Sequence, residues 1–332
     1  SGLKKENAQL KQKIRSNDRI IGNSSVMNAL RQSITKVSQT NSRVLIRGES
    51  GSGKEICART IHQESPRSTG SFIHVNCSMF DEEQLFGLEP RRSGSKRIIG
   101  SFEQANKGTL YLEEICDIPL ISQGKLIHAI QQQRFRRIGG DVEISVDVRV
   151  ISSSAKDLQE QIDSGYLRED LYYRLGVVPI EMPCLKDHAQ DIPDLVNYYM
   201  NSAAAVLNTA PKKLSDDAIA TMQNYSWPGN QNQLRNVIDW LLIMAPNSGD
   251  GYITSEMLPP EINFITKSKQ ELSLSDYLPS KLKEAREKFE REYLMLQISR
   301  FGGNISRTSA FIGMERSALH RKLKSLNINF NK

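Results

Sequence analysis

The 332-residue sequence lacks the features of membrane, secreted and zinc-binding proteins. No run approaches the roughly 18 consecutive apolar residues that cross a bilayer, so no membrane partner is expected. The pattern of a signal peptide, a charged start followed by an apolar stretch and a small-residue cleavage site, is also missing. The four cysteines are scattered without a C-x-x-C pair, which argues against a zinc site and a disulfide framework. We therefore expect a cytoplasmic protein with reduced thiols.

The excess of basic over acidic residues is concentrated at the carboxyl end of the chain. Residues 280–332 contain twelve Lys and Arg against five Asp and Glu, a net charge of about +7. The whole chain carries +6, so the remainder is close to neutral. A basic tail on a nearly neutral body indicates that the tail binds a polyanion.

The chain begins with a Ser-Gly dipeptide rather than a methionine. We expect this dipeptide to be an artificial remnant and the chain to be part of a longer protein. Leu3, Leu10 and Ile14 have the spacing of a coiled-coil seam, which predicts a linker helix over residues 1–17. A frayed, solvated helix would show the same pattern, because fewer than three heptads are present.

Short β-rich runs alternate with helical stretches over residues 18–185. Nearly continuous β-branched strands between helices are typical of a parallel sheet covered on both faces, so this part is predicted to be α/β. Residues 186–262 are predicted to be helical without further strands, and residues 263–280 are polar and turn-rich, as in a linker. Residues 281–332 are again helical. The predicted strands cover residues 44–46, 72–75, 109–112, 146–151 and 177–180.

The stretch GESGSGKE follows the first predicted strand, precedes a helix and has the spacing G-x-x-x-x-G-K. Its glycines let the backbone curl so that N–H groups point at phosphate oxygens, and the following helix adds its positive end. Lys54 would hold the β and γ phosphates. Glu55 occupies the position where the general loop has a magnesium-binding Ser or Thr. We predict that ATP binds at Gly48, Glu49, Ser50, Gly51, Ser52, Gly53, Lys54 and Glu55.

This loop is similar to GESGTGKE of the bacterial enhancer-binding proteins, AAA+ activators that work with sigma-54. The resemblance covers nearly all of residues 20–332 and includes NCSMF, LFG, GSFEQA, GTLYLEEI, VDVRVISS, REDLYYRL and WPGN. The resemblance implies an α/β fold. Residues 18–185 would form an AAA+ P-loop domain with a parallel sheet, and residues 186–262 would form an α-helical lid. An all-α Fis-type helix-turn-helix domain would follow over 281–332. It also implies an absent receiver domain that is addressed by a cognate sensor histidine kinase in a two-component system.

The octapeptide GTLYLEEI ends in Glu113 and Glu114, where the family has Asp-Glu. By resemblance, the first acid is a ligand of Mg²⁺ and the second is the catalytic base that polarises the attacking water. Because Mg²⁺ requires tight octahedral geometry, the extra methylene of Glu113 is expected to disturb this metal site. The resemblance also implies that Asn76 hydrogen-bonds Glu114 until the γ-phosphate is sensed.

Both arginines of REDLYYRL act in the family on the ATP of a neighbouring subunit. There they stabilise the charge that develops during phosphoryl transfer. Arg168 and Arg174 match these two catalytic positions, and the role requires a ring of subunits. In the alternative, they form exposed salt bridges with Glu169 and Asp170, which contribute little stability.

Three departures separate the sequence from active members of the family. Ala155 stands where the family has a polar sensor residue, and an alanine side chain forms no hydrogen bond. Asn232 replaces the lid arginine that reaches the phosphates, although Arg235 lies about one helical turn further on and is our candidate for a partial substitute. The sigma-54-contacting GAFTGA loop is absent, because residues 88–99 read LEPRRSGSKRII. The NtrX-type response regulators share this absence, and the sequence is most similar to them.

The carboxyl-terminal segment resembles the Fis-type helix-turn-helix of the same family, which dimerises through its first long helix. Gly302-Gly303 is predicted to end that helix, Asn304 to cap the next one, and Gly313 to allow the tight turn between two short helices. The apolar face of the first helix is predicted to consist of Phe289, Tyr293, Leu296 and Ile298.

The last helix is predicted to bury Leu319 and Leu323 and to expose a basic face, as a recognition helix for the major groove does. An ordinary amphipathic helix with a solvated charged face is the alternative. The candidate contacts to bases or phosphates of double-stranded promoter DNA are Arg316, Ser317, His320 and Arg321, and the candidate phosphate contacts are Lys322 and Lys324.

Three functions are compatible with these features. The first is a DNA-binding transcriptional regulator that acts as a homo-oligomer, binds ATP with Mg²⁺, and hydrolyses it weakly or not at all. The oligomer would be a dimer through the carboxyl-terminal domain, with a possible ring through the AAA+ domain. The second is an active ATPase that remodels sigma-54 RNA polymerase. The third is a DNA-binding scaffold with a vestigial nucleotide site.

Overall fold

The computed structural model describes residues 19–89, 97–245, 252–262, 282–326 and 328. The predicted linker helix over residues 1–17 and the predicted linker over 263–280 lie outside these residues, as do residues 90–96 of the loop predicted to lack GAFTGA. The chain divides into two compact units. Of the described residues, the first unit contains 19–20, 25–184 and 229–232, and the second contains 21–24, 185–228 and those from 233 onward.

A five-stranded parallel sheet forms the centre of the first unit. Its strand order is β2-β3-β6-β1-β7, and β4 and β5 pair separately as a short antiparallel hairpin. The α/β class with a parallel sheet is therefore confirmed. The strands are β1 (Val44–Arg47), β2 (Phe72–Asn76), β3 (Thr109–Glu113), β4 (Arg134–Arg136), β5 (Glu143–Ser145), β6 (Arg149–Ser154) and β7 (Val178–Glu181).

Alternate residues of β1 enter two different hydrophobic clusters. Val44 and Ile46 pack in one cluster with Tyr111, while Leu45 packs in the other with Leu110. Because successive strand side chains point to opposite faces, both faces of the sheet are buried, which explains the continuous apolar runs in the sequence. The helices of this unit are α1 (Ser25–Ser38), α2 (Lys54–Gln63), α3 (Glu82–Phe86), α4 (Ser101–Gln104), α5 (Leu120–Gln132), α6 (Leu158–Asp163) and α7 (Glu169–Leu175).

The second unit begins with three longer helices that enclose a core around the fully buried Trp227. The prediction that strands end before this unit is wrong, because β8 (Lys213–Leu214) and β9 (Tyr252–Ile253) pair in parallel. Each strand has only two residues, too few to show a period of two in the sequence. The three helices are α8 (Ile192–Leu207), α9 (Asp216–Asn224) and α10 (Asn230–Met244).

The carboxyl-terminal helices are α11 (Leu282–Arg300), α12 (Ile305–Ile312) and α13 (Arg316–Ser325). A small core holds them together, and it consists of Leu294, Ile298, Leu319 and Leu323. Within the part of the chain that the structure describes, no helix is long and apolar enough to cross a membrane.

Candidate functional site

The glycine-rich loop connects β1 to α2 and takes the conformation that its sequence predicts. Gly51 and Gly53 have φ angles of 75° and 93°, in the left-handed region that favours glycine. Gly51 also lies so close to the backbone that an added Cβ would come within 2.3 Å of the Gly229 carbonyl oxygen. The Gly51 carbonyl accepts a hydrogen bond from the Gln231 N–H at 3.0 Å. Both the curl of the loop and its close approach to residues 229–232 therefore require a glycine at this position.

Lys54, the first residue of α2, is almost completely buried beneath the loop. Its Nζ donates hydrogen bonds to the carbonyl oxygens of Gly48 at 2.9 Å and Glu49 at 3.2 Å. The Ser52 hydroxyl is buried in the same loop and has no hydrogen-bond partner among the described residues. A buried hydroxyl without a hydrogen-bond partner is costly, and the nearby ammonium of Lys54 adds a positive charge that attracts an anion. The loop therefore fits a phosphate ligand.

The start of α10 contacts the same loop, a feature that the sequence analysis did not assign. The Asn230 side-chain amide donates to Glu49 Oε2 at 3.0 Å and to the Ser50 carbonyl at 3.1 Å. The Cβ of Asn232 lies 3.2 Å from the position of a Cβ on Gly51, so this asparagine is adjacent to the loop. Arg235, one turn further on, belongs to the second unit, and its role at the phosphates stays a prediction. The tetrapeptide WPGN, which the chain shares with the family it resembles, was the available signal for Asn230.

Glu114 follows β3 and has a φ of 56°, an uncommon left-handed conformation for a residue other than glycine. One carboxylate oxygen lies 3.2 Å from Lys54 Nζ, and the other accepts a hydrogen bond from the Ala155 backbone N–H at 2.9 Å. Ala155, which stands where the family has a polar sensor residue, therefore contacts Glu114 through its backbone N–H. Both oxygens of the candidate base are engaged by protein groups, which orients the carboxylate.

Glu113, the last residue of β3, is bonded to a histidine that the sequence analysis did not single out. Its Oε2 lies 2.9 Å from His74 Nε2. This hydrogen bond lowers the pKa of Glu113, although burial of the carboxylate acts in the opposite direction. The charges of His74 and Lys54 lower the pKa of Glu113 further. His74 Nδ1 lies 3.6 Å from Glu55, whose Oε1 accepts two hydrogen bonds from Arg59. The predicted metal ligand is thus part of a row of ionisable side chains.

The hydrogen bond expected between Asn76 and Glu114 is not present in this structure. Asn76 Oδ1 instead accepts from the Ser78 N–H at 2.9 Å and caps the single turn Cys77–Met79. Asparagine is favoured at such caps because its side-chain oxygen satisfies an otherwise free backbone N–H. The role of Asn76 when nucleotide is present stays a prediction.

The two arginines of REDLYYRL are six positions apart at opposite ends of α7. Arg168 caps the helix start and pairs with Asp170 at 2.8 Å, which is the alternative interpretation of this residue. The Arg174 guanidinium faces the side-chain amide of Gln131, with Nε 3.0 Å from the amide oxygen in the orientation that satisfies both groups. Both side chains are held locally, and their action on a neighbouring subunit stays a prediction.

The described ends of the loop over residues 88–99 are fixed to the body of the first unit. Leu88 pairs with Ile98 and also with Ile138. Arg137 is nearly buried and forms ion pairs with Glu89 at 2.7 Å and Glu103 at 2.8 Å. Backbone pairing and ion pairs therefore hold the described residues at the two ends of this loop.

The carboxyl-terminal helices have the predicted turns. Asn304 Oδ1 accepts from the Arg307 N–H at 3.1 Å, and Gly313 ends α12 with a φ of 69°. On α13, Leu319 and Leu323 are buried as predicted. Lys322 is paired with Glu290 of α11 at 2.6 Å, so one of the six candidate DNA contacts is already neutralised. The other five are exposed on α13: Arg316, Ser317, His320, Arg321 and Lys324.

The predicted apolar face of α11 is partly wrong. Ile298 is buried, but its buried partner is Leu294, whereas Phe289, Tyr293 and Leu296 lie at or near the surface. The rings of Phe289 and Tyr293 stack with centroids 5.9 Å apart. The sequence contains two apolar stripes at helical spacing, and the pattern alone does not tell which one the short helices cover.

Comparison with known proteins places these features in a family. The profile described as "Sigma-54 interaction domain" matches residues 20–181, "AAA+ ATPase lid domain" matches 186–275, and "Bacterial regulatory protein, Fis family" matches 285–326. The nitrogen assimilation regulatory protein NtrX of Azorhizobium caulinodans is 45% identical over 331 residues, covering 98% of this chain and 72% of that protein. The chain belongs to the NtrX-type regulators of the sigma-54 interaction-domain family.

Solved structures of the NtrX group agree with this assignment. The crystal structure of NtrX from Brucella abortus in complex with ATP is 44% identical, with a TM-score of 0.77, over 97% of this chain and 73% of that one. The same protein in complex with ADP gives a TM-score of 0.73 at 44% identity, over 98% and 72% of the two chains. The fold described above is therefore similar to that of a solved NtrX protein over nearly the whole of this chain.

Proposed function

We propose that the chain is a DNA-binding transcriptional regulator in which Mg²⁺·ATP acts mainly as a ligand that sets the arrangement of domains or subunits. Hydrolysis is slow or absent. One observation carries this proposal: the phosphate loop closely resembles the family sequence, whereas residues implied in hydrolysis at the same site differ from it. The protein works as a homo-oligomer, a dimer through the Fis-type helices with a possible ring through the AAA+ unit.

Nucleotide binding is supported by groups that have not changed. The loop backbone, Lys54 and the unpaired Ser52 hydroxyl provide cationic and hydrogen-bond donors for phosphate oxygens. The Brucella abortus relative has been solved with ATP and with ADP, which supports the same ligands here. Glu113 and the phosphates would hold Mg²⁺, which neutralises charge on the transferring phosphate when it is bound.

Slow hydrolysis is supported by Glu113, Ala155 and Asn232, which differ from the family pattern, and by contacts that restrain two residues that match it. Glu114 is engaged by Lys54 and by the Ala155 N–H, so it must leave both partners before it can polarise a water. Arg168 is paired with an acid of its own helix, and that pair must open before the arginine reaches another subunit. Each of these steps adds to the barrier for phosphoryl transfer.

DNA binding is supported by the exposed basic face of α13. A recognition helix presents its first residues to base edges, where Arg316, Ser317 and His320 lie. Relatives described as response regulators support a sensor histidine kinase as the upstream partner. Arg321 is exposed and Lys322 is paired, so Arg321→Ala is expected to lower both DNA affinity and the slope of its salt dependence more than Lys322→Ala does.

An active ATPase that remodels sigma-54 polymerase is the second candidate, since the matching profile over residues 20–181 carries the name of a sigma-54 interaction domain. An open-complex assay with sigma-54 holoenzyme and supercoiled promoter DNA separates the two. We expect no open complex that depends on ATP hydrolysis, because residues 88–99 lack the apolar contact sequence. Open complexes that form with ATP but not with a non-hydrolysable analogue would establish the second candidate.

A further inference from the structure

Glu113 stands where the family has an aspartate, and within the described part of the chain the only hydrogen bond of its side chain is the one with His74. His74 Nε2 and Glu113 Oε2 are 2.9 Å apart. The two residues lie on adjacent parallel strands, where His74 is in register with Tyr111 and Asn76 with Glu113. The contact therefore runs diagonally across β2 and β3, and the longer side chain of glutamate reaches it.

The imidazole of His74 is held from two sides. Its ring packs against the ring of Tyr111 with centroids 5.0 Å apart. Tyr111 is itself completely buried, and its hydroxyl is hydrogen-bonded to Ser153 at 2.8 Å. On the other side, Nδ1 faces the Glu55 carboxylate, which Arg59 fixes. A ring held in this way is a rigid donor or acceptor rather than a mobile surface group.

A rigid partner matters more for glutamate than for aspartate at a metal site. Glutamate has one more rotatable bond, so ordering its carboxylate costs more side-chain entropy. Mg²⁺ tolerates little deviation from octahedral geometry. Groups that orient a ligating carboxylate commonly change metal affinity by 10- to 100-fold, a range of about 1.4 to 2.8 kcal/mol.

We propose that His74 is a positioning residue that orients the Glu113 carboxylate for Mg²⁺ in the Mg²⁺·ATP complex, and so compensates for glutamate at a position where the family has aspartate. The proposal rests on ATP binding by the loop, as proposed above. His74 acts through Glu113 rather than as a metal ligand, because Mg²⁺ prefers oxygen ligands and the Nε2 atom of His74 is already hydrogen-bonded to Glu113.

The test is a magnesium titration of ATP binding, measured by calorimetry or with a fluorescent ATP analogue on the full chain. Three variants are compared with the wild type. His74→Leu removes the hydrogen bond and keeps an apolar contact with Tyr111. His74→Gln places a side-chain amide at a reach similar to Nε2. Glu113→Gln removes the charge that the histidine orients.

We expect His74→Leu to raise the Mg²⁺ concentration at half-effect by roughly tenfold, while ATP binding in EDTA is unchanged. His74→Gln is expected to stay within about threefold of the wild type, because it keeps the donor. In a Glu113→Gln background, His74→Leu should have no further effect, since a positioning residue acts only through its partner.

Results other than those expected contradict either the proposed function or the positioning role of His74. If the wild type binds no ATP with or without Mg²⁺, the proposed function fails. If ATP binds but His74→Leu responds to Mg²⁺ as the wild type does, or its effect persists undiminished beside Glu113→Gln, the positioning role is wrong. Should His74→Leu fold poorly by circular dichroism, a His74→Gln variant that shifts the titration tenfold also contradicts the proposal.

Discussion

The phosphate loop and the acidic end of β3 meet at one site but depend on different kinds of structure. The loop would bind phosphate mainly through backbone groups, and glycines together with Lys54 set its shape. The acidic end depends on side chains, and here Glu113 and Glu114 contact protein groups other than those the family pattern implies. Substitutions that alter hydrolysis can therefore accumulate while the backbone cradle for phosphate is kept.

The largest expected effect is that of Lys54→Ala on ATP binding. Loss of a buried ammonium beneath the loop should weaken binding at least about 100-fold, which is roughly 2.8 kcal/mol. Isothermal titration with Mg²⁺·ATP measures it. Lys125→Ala is the matched control, because that lysine is exposed and pairs with Glu82 outside the loop. ATP binding by Lys54→Ala at wild-type affinity would remove the loop from the site.

Gly51→Ala tests whether the loop backbone itself is the binding element. The new Cβ would collide with the Gly229 carbonyl and would also strain a φ of 75°. We expect roughly tenfold weaker ATP binding, since strain of about 1–3 kcal/mol must be relieved by moving the loop. Gly165→Ala is the control for backbone strain alone, because its φ is also 75° and no atom lies within 4 Å of the added Cβ. Equal ATP affinities for the two variants would contradict the prediction.

Restoring the family residues at the acidic end should raise hydrolysis. The double variant Glu113→Asp/Ala155→Asn carries the two family residues. Its aspartate is too short to reach His74, and its asparagine provides the polar side chain of the sensor position. We expect turnover to rise about five- to tenfold, or roughly 1 to 1.4 kcal/mol of barrier, with ATP affinity little changed. Phosphate release measured beside calorimetric titration checks both quantities. A fall in turnover would show that Glu113 and Ala155 are adapted to hydrolysis rather than against it.

The smallest expected effect is that of Arg168→Ala on turnover. The side chain is exposed and paired with Asp170, so its removal should change phosphate release by less than about twofold. An arginine that completes a neighbouring active site contributes about 1,000-fold or more to turnover. A loss of that size on Arg168→Ala would establish a hydrolysing ring.

The strands and the loop that carry the candidate site could be predicted from the sequence because glycine, lysine and acid spacings are local. The central strands β1, β2 and β3 were placed within a residue of their observed ends. β6 begins three residues later than predicted, at Arg149, because the apolar alternation starts in the loop that precedes it. His74 and Asn230 were missed, since their contacts with Glu113 and Glu49 join residues 39 and 181 positions apart.

In the carboxyl-terminal helices, too, local features could be predicted from the sequence and contacts between distant residues could not. The caps at Asn304 and Gly313 follow from local chemistry and were predicted correctly. The buried face of α11 depends on which of two stripes the short helices cover, and Leu294 was not identified. Pairing of Lys322 with Glu290 likewise depends on the packing of α13 against α11.

Binding and hydrolysis of ATP measured on one preparation test the separation of the two regions most directly. Calorimetry should show binding of Mg²⁺·ATP by the full chain, and phosphate release from the same sample should stay far below the roughly 1 s⁻¹ at which typical enzyme turnover begins. Vigorous turnover that is lost on Arg168→Ala would contradict the claim that the loop has kept its function while the hydrolytic groups have not.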